Sequence, residues 1–123
     1  MNAEQKNFIE VVGAIASADM KNSGVAASLT TAQAILESAW GKSELTKTGN
    51  ALFGIKATKD WKGKTLTRKT TEYEGGKKVQ VEAEFRAYDT WEDSVKDHSA
   101  FLKKYKRYAK VIGETDYKEA CKA

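Results

Sequence analysis

Apolar residues recur with helical spacing at both ends of the chain and with strand-like alternation between them. Near the N-terminus, apolar residues at positions 8, 9, 11, 12 and 15 predict a packing helix of about four turns. Thr90, with Asp93 three residues later, predicts the start of another helix. Two short helices are predicted beyond it, over positions 108–112 and 115–121. The apolar face of the helix that follows Thr90 carries Trp91, Val95, His98, Phe101, Leu102 and Tyr105.

The middle of the chain has the pattern of a β-hairpin. Apolar residues at positions 79, 81, 83 and 85 alternate with polar ones, which is the period of a half-buried strand. The β-prone stretch 65–71 precedes them, and residues 74–77, with two central glycines, are typical of a hairpin turn. A small antiparallel lobe within about residues 50–88, with helices before and after it, predicts an α+β fold.

A third helical pattern lies around residues 30–41. Thr30 and Gln33 have the spacing of a capping box, which predicts that this helix begins at Thr30. Gly41 suits the left-handed residue that ends a helix. Glu37 therefore falls in the last turn, one turn after Gln33. The predicted apolar face of this helix consists of Ala32, Ile35, Leu36 and Ala39.

The position of Glu37 favours acid chemistry. The C-terminal end of a helix carries partial negative charge and disfavours a second negative charge nearby. If Trp40 and the apolar face also exclude water, the carboxyl group is biased further towards its uncharged form. An uncharged carboxyl near neutral pH is what a general acid for glycosidic bond cleavage requires. The residues alone leave open the alternative of an exposed helical glutamate beside Lys42.

Several motifs, in order along the chain, make the sequence similar to a known enzyme family. Residues 32–43, Ala-Gln-Ala-Ile-Leu-Glu-Ser-Ala-Trp-Gly-Lys-Ser, resemble the signature helix of the bacterial autolysin glucosaminidases, glycoside hydrolase family 73. The resemblance covers about residues 8–108, and several motifs in the family's order are more specific than any one of them. The later motifs are Asn50–Ala57, Trp61–Gly63, Thr71–Tyr73, Phe85–Tyr88, Asp97–His98 with Phe101–Leu102, and Arg107–Tyr108.

The resemblance implies a lysozyme-like fold, with a mainly helical lobe, a small hairpin lobe and a cleft for a sugar chain between them. It also implies that Glu37 is the catalytic acid and that Glu72 is the second catalytic carboxylate. By residue type alone, Glu74, Glu82 and Glu84 are rivals of Glu72. An inverting route, a retaining route and a substrate-assisted route, in which the substrate's acetamido group is the nucleophile, all remain open.

Aromatic side chains are candidate sugar contacts because their rings offer flat apolar faces. For each of them, packing in the core is the alternative. His98 is predicted to be a buried structural histidine, since it lies on an apolar helical face and the sequence has no second histidine. The sequence contains no metal-binding constellation, and no cofactor is expected. The candidate sugar contacts are Trp40, Phe53, Trp61, Tyr73, Tyr88 and Tyr108.

Bulk properties restrict the class of protein. The 123 residues are expected to form one domain, 1–123, and no apolar run approaches the ~20 residues of a membrane span. The net charge is +4, and a solvated surface explains the basic cluster at 103–107 better than nucleic-acid binding does. The single cysteine, Cys121, excludes an internal disulfide. No signal peptide is visible, and we expect a monomer that is secreted or acts in the cell wall.

The resemblance implies the function of an endo-β-N-acetylglucosaminidase that cuts the GlcNAc-β-1,4-MurNAc bond in peptidoglycan glycan strands. A muramidase or a lytic transglycosylase on the same fold is one alternative, and a non-catalytic wall-binding or phage structural module is another. The family's pattern continues with an Ala-Gly-Tyr-Ala-Thr-Asp-Pro segment whose tyrosine is thought to reach the active site. The sequence ends at Ala123, before such a segment, so the domain is expected to be short of it.

Overall fold

The computed structural model describes the backbone of residues 1–112 and the side chains of residues 1–105. In this part of the chain, three helices precede a two-stranded antiparallel sheet and one helix follows it, which confirms the predicted α+β class. The elements are α1 (Ala3–Ser23), α2 (Ala27–Ser38), α3 (Glu44–Gly49), β1 (Thr65–Glu74), β2 (Lys77–Arg86) and α4 (Trp91–Ile112). The core lies where α1, α2 and α4 meet the segment after α3, and it contains Phe8, Val12, Ala34, Leu52, Phe53, Ile55 and Val95.

The first helix is longer than predicted. It has 21 residues rather than about four turns, because both of its ends are capped. The Asn2 side chain accepts from the Gln5 backbone N–H, and the Gln5 side chain accepts from the Asn2 backbone N–H. At the other end, Gly24 adopts φ +77° and closes the helix in the left-handed conformation.

The central helix begins at Ala27, three residues before the predicted start at Thr30. Thr30 is fully buried inside the helix, and the Gln33 side chain is bonded to another helix, so the predicted capping box does not form. The predicted apolar face is also wrong, since Leu36 is 81% exposed. The face that α2 buries is a stripe of small side chains at successive turns, which favours close helix packing. This stripe consists of Thr30, Ala34 and Ser38.

The turn after α2 holds three consecutive left-handed residues, 39–41. For a residue other than glycine this conformation costs about 1 kcal/mol. The buried Ser38 hydroxyl stabilises the turn, since it donates to a carbonyl oxygen of the preceding helical turn and accepts from the Gly41 N–H. A Cβ at Gly41 would lie 2.9 Å from the Phe8 ring, so both φ and packing require glycine. The helix ends at Ser38, which leaves Glu37 in its last turn as predicted.

The hairpin is the predicted one. Its strands pair in a regular register from Thr65 opposite Arg86 to Glu74 opposite Lys77. Two glycines with positive φ, at residues 75–76, form the two-residue turn. Because side chains alternate along both strands, one face, here called the inner face, is the more buried one. The less exposed members of the inner face are Leu66, Thr70, Glu72, Val79, Val81, Ala83 and Phe85.

The last helix begins at its predicted cap, where the Thr90 hydroxyl accepts from the Asp93 N–H. It continues to Ile112, so the prediction of a separate helix over 108–112 is wrong; residues 91–112 contain no glycine or proline to interrupt it. The helix predicted over 115–121 lies outside the described residues. The predicted apolar face is confirmed by the burial of Val95, His98 and Leu102.

Candidate active site

An open groove of about 340 Å³ lies between α2, α4 and the base of the hairpin. Its volume is within the usual range for ligand-binding pockets. Helix α2 contributes Gln33 and Glu37 to this groove, one helical turn apart. The other lining residues are mostly apolar, and they are Phe53, Gly54, Ile55, Lys56, Phe85, His98, Phe101 and Leu102.

The carboxyl group of Glu37 is open to this groove. A Cβ on Gly54 would lie 3.9 Å from Glu37 Oε2, and the absence of that side chain leaves space beside the carboxyl. Gly54 has φ +60°, a conformation that favours glycine here. Glu37 is exposed, and the hydrogen bonds and ion pairs found among the described side chains do not involve its carboxyl. The group is therefore available to a ligand oxygen.

The surroundings of Glu37 differ from those that the sequence predicted. Trp40 does not line the groove, since its ring packs edge-on against Phe8 with centroids 6.1 Å apart. The backbone at Trp40 is left-handed, with φ +61°, so helical spacing from Glu37 no longer predicts where the indole points. Phe53 and Ile55 supply apolar wall to the groove instead.

Two other cavities, of about 450 Å³ each, lie along other faces of α4. Both contain carboxylates, but their less exposed carboxylates already have partners. Asp19, in the cavity between α1 and α4, accepts hydrogen bonds from two serine hydroxyls. Asp97, in the cavity beside Trp61, accepts from a guanidinium and a phenol. The Glu37 carboxyl has no such partner in a mostly apolar groove, and it lies on the helix whose sequence resembles the family signature, so this groove is the candidate active site.

Glu72, on the hairpin, is connected to the same groove through one ion pair. Its carboxylate pairs with Lys56, a groove residue, with Nζ–Oε1 3.2 Å. The Lys56 backbone bridges to Phe85, and Phe85 pairs with Leu66 on the other strand, six residues before Glu72. In a flat sheet, Glu72 would lie about 20 Å further along the ribbon than Lys56. The contact therefore requires the hairpin to bend from a flat path towards Lys56, as the strong twist of two-stranded ribbons allows.

Strand alternation separates Glu72 from its rivals. Glu82 and Glu84 lie on the outer face of the hairpin, opposite Glu72. Glu74 has the parity of the inner face, but it lies next to the turn and is exposed. Of these four carboxylates, Glu72 is the one that is bonded to a residue of the groove.

The predicted sugar contacts are distributed over several parts of the molecule. Phe53 is buried and lines the groove. Trp61 and Tyr88 pack edge to face, 5.7 Å between centroids, in the cavity on another face of α4. Tyr73 is 69% exposed on the outer face of the hairpin, and Trp40 packs on Phe8 as described above. The side chain of Tyr108 lies outside the described residues.

Arg86, Tyr88 and Asp97 form a polar cluster that ties the end of β2 to α4. One Arg86 nitrogen lies 3.1 and 3.2 Å from the two Asp97 oxygens, and the Tyr88 hydroxyl donates to Asp97 at 2.6 Å. Burial, with the hydrogen bond to Asp97, raises the pKa of Tyr88 and keeps it protonated. The Arg86 guanidinium also lies 4.8 Å from the centre of the Trp61 ring. We therefore assign this cluster to the fold rather than to the groove.

A hydrogen bond that the sequence did not reveal joins α2 to α4 at the groove. His98 Nε2 lies 2.6 Å from Gln33 Oε1, and the His98 ring stacks on Phe53 with centroids 3.8 Å apart. His98 is buried, as predicted, and burial lowers its pKa to about 4 against the opposing effects of Asp19 and Asp97. The two bonded residues are 65 positions apart, so local spacing carries no signal of their contact.

Comparison with known proteins points to one family. The glucosaminidase family, described as mannosyl-glycoprotein endo-beta-N-acetylglucosaminidase, matches residues 13–123. The chain is 39% identical to the exo-glucosaminidase LytG of Bacillus subtilis (strain 168), over 98% of the chain and 44% of LytG. It is 36% identical to the peptidoglycan hydrolase FlgJ of Salmonella typhimurium, over 90% of the chain and 36% of FlgJ. The chain thus spans less than half the length of either relative.

The fold resembles that of the catalytic domain of the autolysin Auto from Listeria monocytogenes. The TM-score is 0.74 at 36% identity, over 83% of this chain and 58% of the Auto chain. This similarity confirms the predicted lysozyme-like fold. Among the described residues, no helix has the length and apolar character needed to cross a membrane. Nor do any three histidine, cysteine, aspartate or glutamate side chains of these residues form a group that could hold a metal ion.

Proposed function

The chain belongs to the glucosaminidase family, glycoside hydrolase family 73, and from this membership we propose that it is a peptidoglycan hydrolase. In the proposed reaction it acts as an endo-β-N-acetylglucosaminidase and cuts the GlcNAc-β-1,4-MurNAc bond of cell-wall glycan strands. The names of its relatives, an exo-glucosaminidase and a peptidoglycan hydrolase, support this substrate class. We propose that it acts as a monomer outside the cell or in the cell wall, without a cofactor.

The observation that carries the proposal is the Glu37 carboxyl, which is open to a groove and has no partner among the described side chains. A sugar chain in the groove would displace water from this carboxyl, and loss of water favours its uncharged form. The uncharged carboxyl then donates its proton to the glycosidic oxygen, so that the leaving sugar departs as an alcohol. Gly54 supports this role because its missing side chain leaves room for the sugar beside the acid.

Glu72 has the second role in this proposal. It would activate a water molecule or stabilise the positive charge that develops on the sugar ring in the transition state. Its ion pair with Lys56 is exposed, with 58% of the Lys56 side chain and 43% of the Glu72 side chain accessible to solvent. Such pairs contribute little free energy, so a substrate can replace this contact. If Glu72 is dispensable, the acetamido group of the substrate is the alternative nucleophile.

Mass spectrometry of digested peptidoglycan tests the bond that is cut. The proposal predicts fragments with N-acetylglucosamine at the reducing end, in a range of lengths from the earliest time points. Release of single disaccharide units alone would indicate exo rather than endo action. Reducing-end muramic acid would identify a muramidase, and anhydromuramic acid would identify a lytic transglycosylase. Either of these two products would contradict the proposed bond specificity.

A sedimentation assay with the same purified walls separates catalysis from binding. The proposal predicts that the walls release soluble fragments when the chain is added, and that Glu37→Gln releases almost none. Sedimentation of the intact chain with the walls, without any fragment in the supernatant, would instead identify a non-catalytic wall-binding module.

A further inference from the structure

The Gln33–His98 pair has a fixed geometry at the groove. The imidazole is 4% exposed and stacks on Phe53 with an interplanar angle of 13°, so its ring has little freedom to turn. Its Nε2 lies 2.6 Å from Gln33 Oε1. An amide oxygen only accepts hydrogen bonds, so Nε2 must carry the hydrogen and donate it.

The surroundings of the second ring nitrogen of His98 also favour a neutral imidazole. Its second nitrogen, Nδ1, is buried and has no hydrogen-bond partner among the described residues. A protonated ring would bury an N–H at this nitrogen without an acceptor, which is costly. The lowered pKa of His98, about 4, accords with a neutral ring over the neutral pH range.

The bond determines which way the Gln33 amide faces. With its oxygen held by His98, the amide presents its NH₂ group elsewhere, and no described residue accepts a hydrogen bond from that nitrogen. Gln33 lines the groove and lies four residues before Glu37, so their side chains are neighbours on one face of α2. Two N–H donors are therefore available next to the proposed acid.

Resting on the function proposed above, we propose that Gln33 is a specificity-determining residue that donates a hydrogen bond to the carbonyl oxygen of a sugar 2-acetamido group. His98 is then the positioning residue, because it fixes the amide with its donors directed to the substrate. Apolar groove residues would pack against the acetamido methyl group, and Phe53, Phe101 and Leu102 are in place to do so. The donor and these apolar side chains together match both ends of an N-acetyl group.

A partially de-N-acetylated glycan gives a direct test. The chain digests a mixture in which some sugars carry an acetamido group and others a free amine, and mass spectrometry counts which bonds are cut. The wild type is expected to cut beside N-acetylated sugars in preference to the others. Gln33→Met should lower this preference about tenfold, the contribution of one hydrogen bond. Because both kinds of bond compete in one tube, the ratio does not depend on the fraction of folded enzyme.

Two further variants complete the test. His98→Phe keeps a ring against Phe53 but removes the donor, and it should lower the preference as Gln33→Met does. Gln80→Met changes an exposed glutamine on the outer face of the hairpin and should leave the preference unchanged. An unchanged preference in Gln33→Met would overturn the proposal. So would a uniform loss of rate on both kinds of bond, which would mean that Gln33 serves Glu37 rather than the substrate.

Nitrogen NMR tests the Gln33–His98 pair independently of the proposed reaction. His98 is the one histidine of the sequence, so histidine-specific ¹⁵N labelling gives the signals of a single imidazole. We expect the neutral Nε2–H tautomer at pH 7 and a change in its signals when tetra-N-acetylchitotetraose is added. An Nδ1–H tautomer would overturn the pairing even if the chain hydrolyses glycan. A wild type that cuts no glycosidic bond would refute the proposed function, while the tautomer and the chitotetraose response would still test the pair.

Discussion

Glu37 lines the groove and Glu72 bonds to the groove residue Lys56, and the two glutamates come from regions that are built differently. Glu37 lies in the last turn of α2, whose buried stripe packs into the core, and the Ser38 hydroxyl stabilises the turn that follows the helix. Glu72 lies on a two-stranded ribbon, which buries little beyond the base of its inner face and reaches the groove through one exposed ion pair with Lys56. A ribbon of this kind is marginally stable by itself. The fold therefore fixes the backbone that carries the proposed acid and leaves the strand that carries Glu72 adjustable.

This difference matches the two roles in glycoside hydrolysis. The acid must reach one oxygen of the bound substrate within hydrogen-bonding distance. The second carboxylate must lie close to the acid in a retaining enzyme and further away in an inverting one. A hairpin that bends further towards the groove can set that second distance when substrate is bound, so its position in the free protein does not decide between an inverting and a retaining reaction.

The largest effect on activity is expected at Glu37. Glu37→Gln keeps the shape of the side chain but removes the acidic proton, and wall-lytic activity should fall about 10³-fold. Glu10→Gln, at an exposed glutamate of α1, is the matched control and should retain full activity. The assay is release of soluble fragments from purified walls, with circular dichroism to establish folding. Activity of Glu37→Gln within tenfold of the wild type would contradict the assignment.

The free energy of unfolding should also depend on pH, through His98. Its pKa is about 4 in the fold and about 6.5 when unfolded, so the unfolded chain binds more protons between these values. The neutral His98 imidazole therefore makes its full contribution to the free energy of unfolding above pH 6.5. This contribution falls by about 3 kcal/mol as the pH drops to 4. Urea unfolding of the wild type and of His98→Gln at several pH values measures this contribution.

The comparison between the two proteins isolates the histidine, because other groups titrate in both. The difference between their free energies of unfolding should shrink as the pH falls from 6.5 to 4, and it should change little below 4. Parallel stability curves for the two proteins across this window would contradict the account.

What the sequence predicted well is local. Alternation at positions 79–85 and the two glycines at 75–76 were sufficient for the hairpin, because a strand period and a turn are determined by neighbouring residues. The Thr90 cap was predicted for the same reason. The parity of the strands, once the register is known, also places Glu72 on the inner face.

What the sequence did not predict depends on distant contacts. Thr30 and Gln33 have the spacing of a cap, but Thr30 packs in the core and Gln33 bonds to His98, 65 residues away. Trp40 was placed beside Glu37 by helical spacing, which fails because the backbone turns left-handed after Ser38. Tertiary packing decided each of these cases.

A smaller effect on activity is expected at Glu72. Glu72→Gln should lower wall-lytic activity about 30-fold, less than Glu37→Gln, because it removes a charge or a base while the acid remains. Its free energy of unfolding should change by less than about 1 kcal/mol, since the ion pair with Lys56 is exposed. Undiminished activity would show that Glu72 is dispensable and would favour the substrate's acetamido group as the nucleophile.

The smallest effect is expected for Lys56→Met. This change removes the ion pair with Glu72 but keeps an unbranched side chain at the groove. The free energy of unfolding should change by less than about 1 kcal/mol and the activity by less than tenfold. Thermal denaturation and the wall assay measure the two quantities. A loss of stability of 2 kcal/mol or more would mean that the hairpin is held to the groove more firmly than the account allows.

Hydrogen exchange tests the contrast between the two regions most directly. In the Glu37→Gln variant, which should bind glycan without cutting it, amide exchange is measured with and without saturating tetra-N-acetylchitotetraose. The account predicts slow exchange in α2 under both conditions. It predicts fast exchange in residues 65–86 of the free protein and slower exchange there when glycan is bound. Hairpin amides that are as protected as those of α2 before any glycan is added would contradict it.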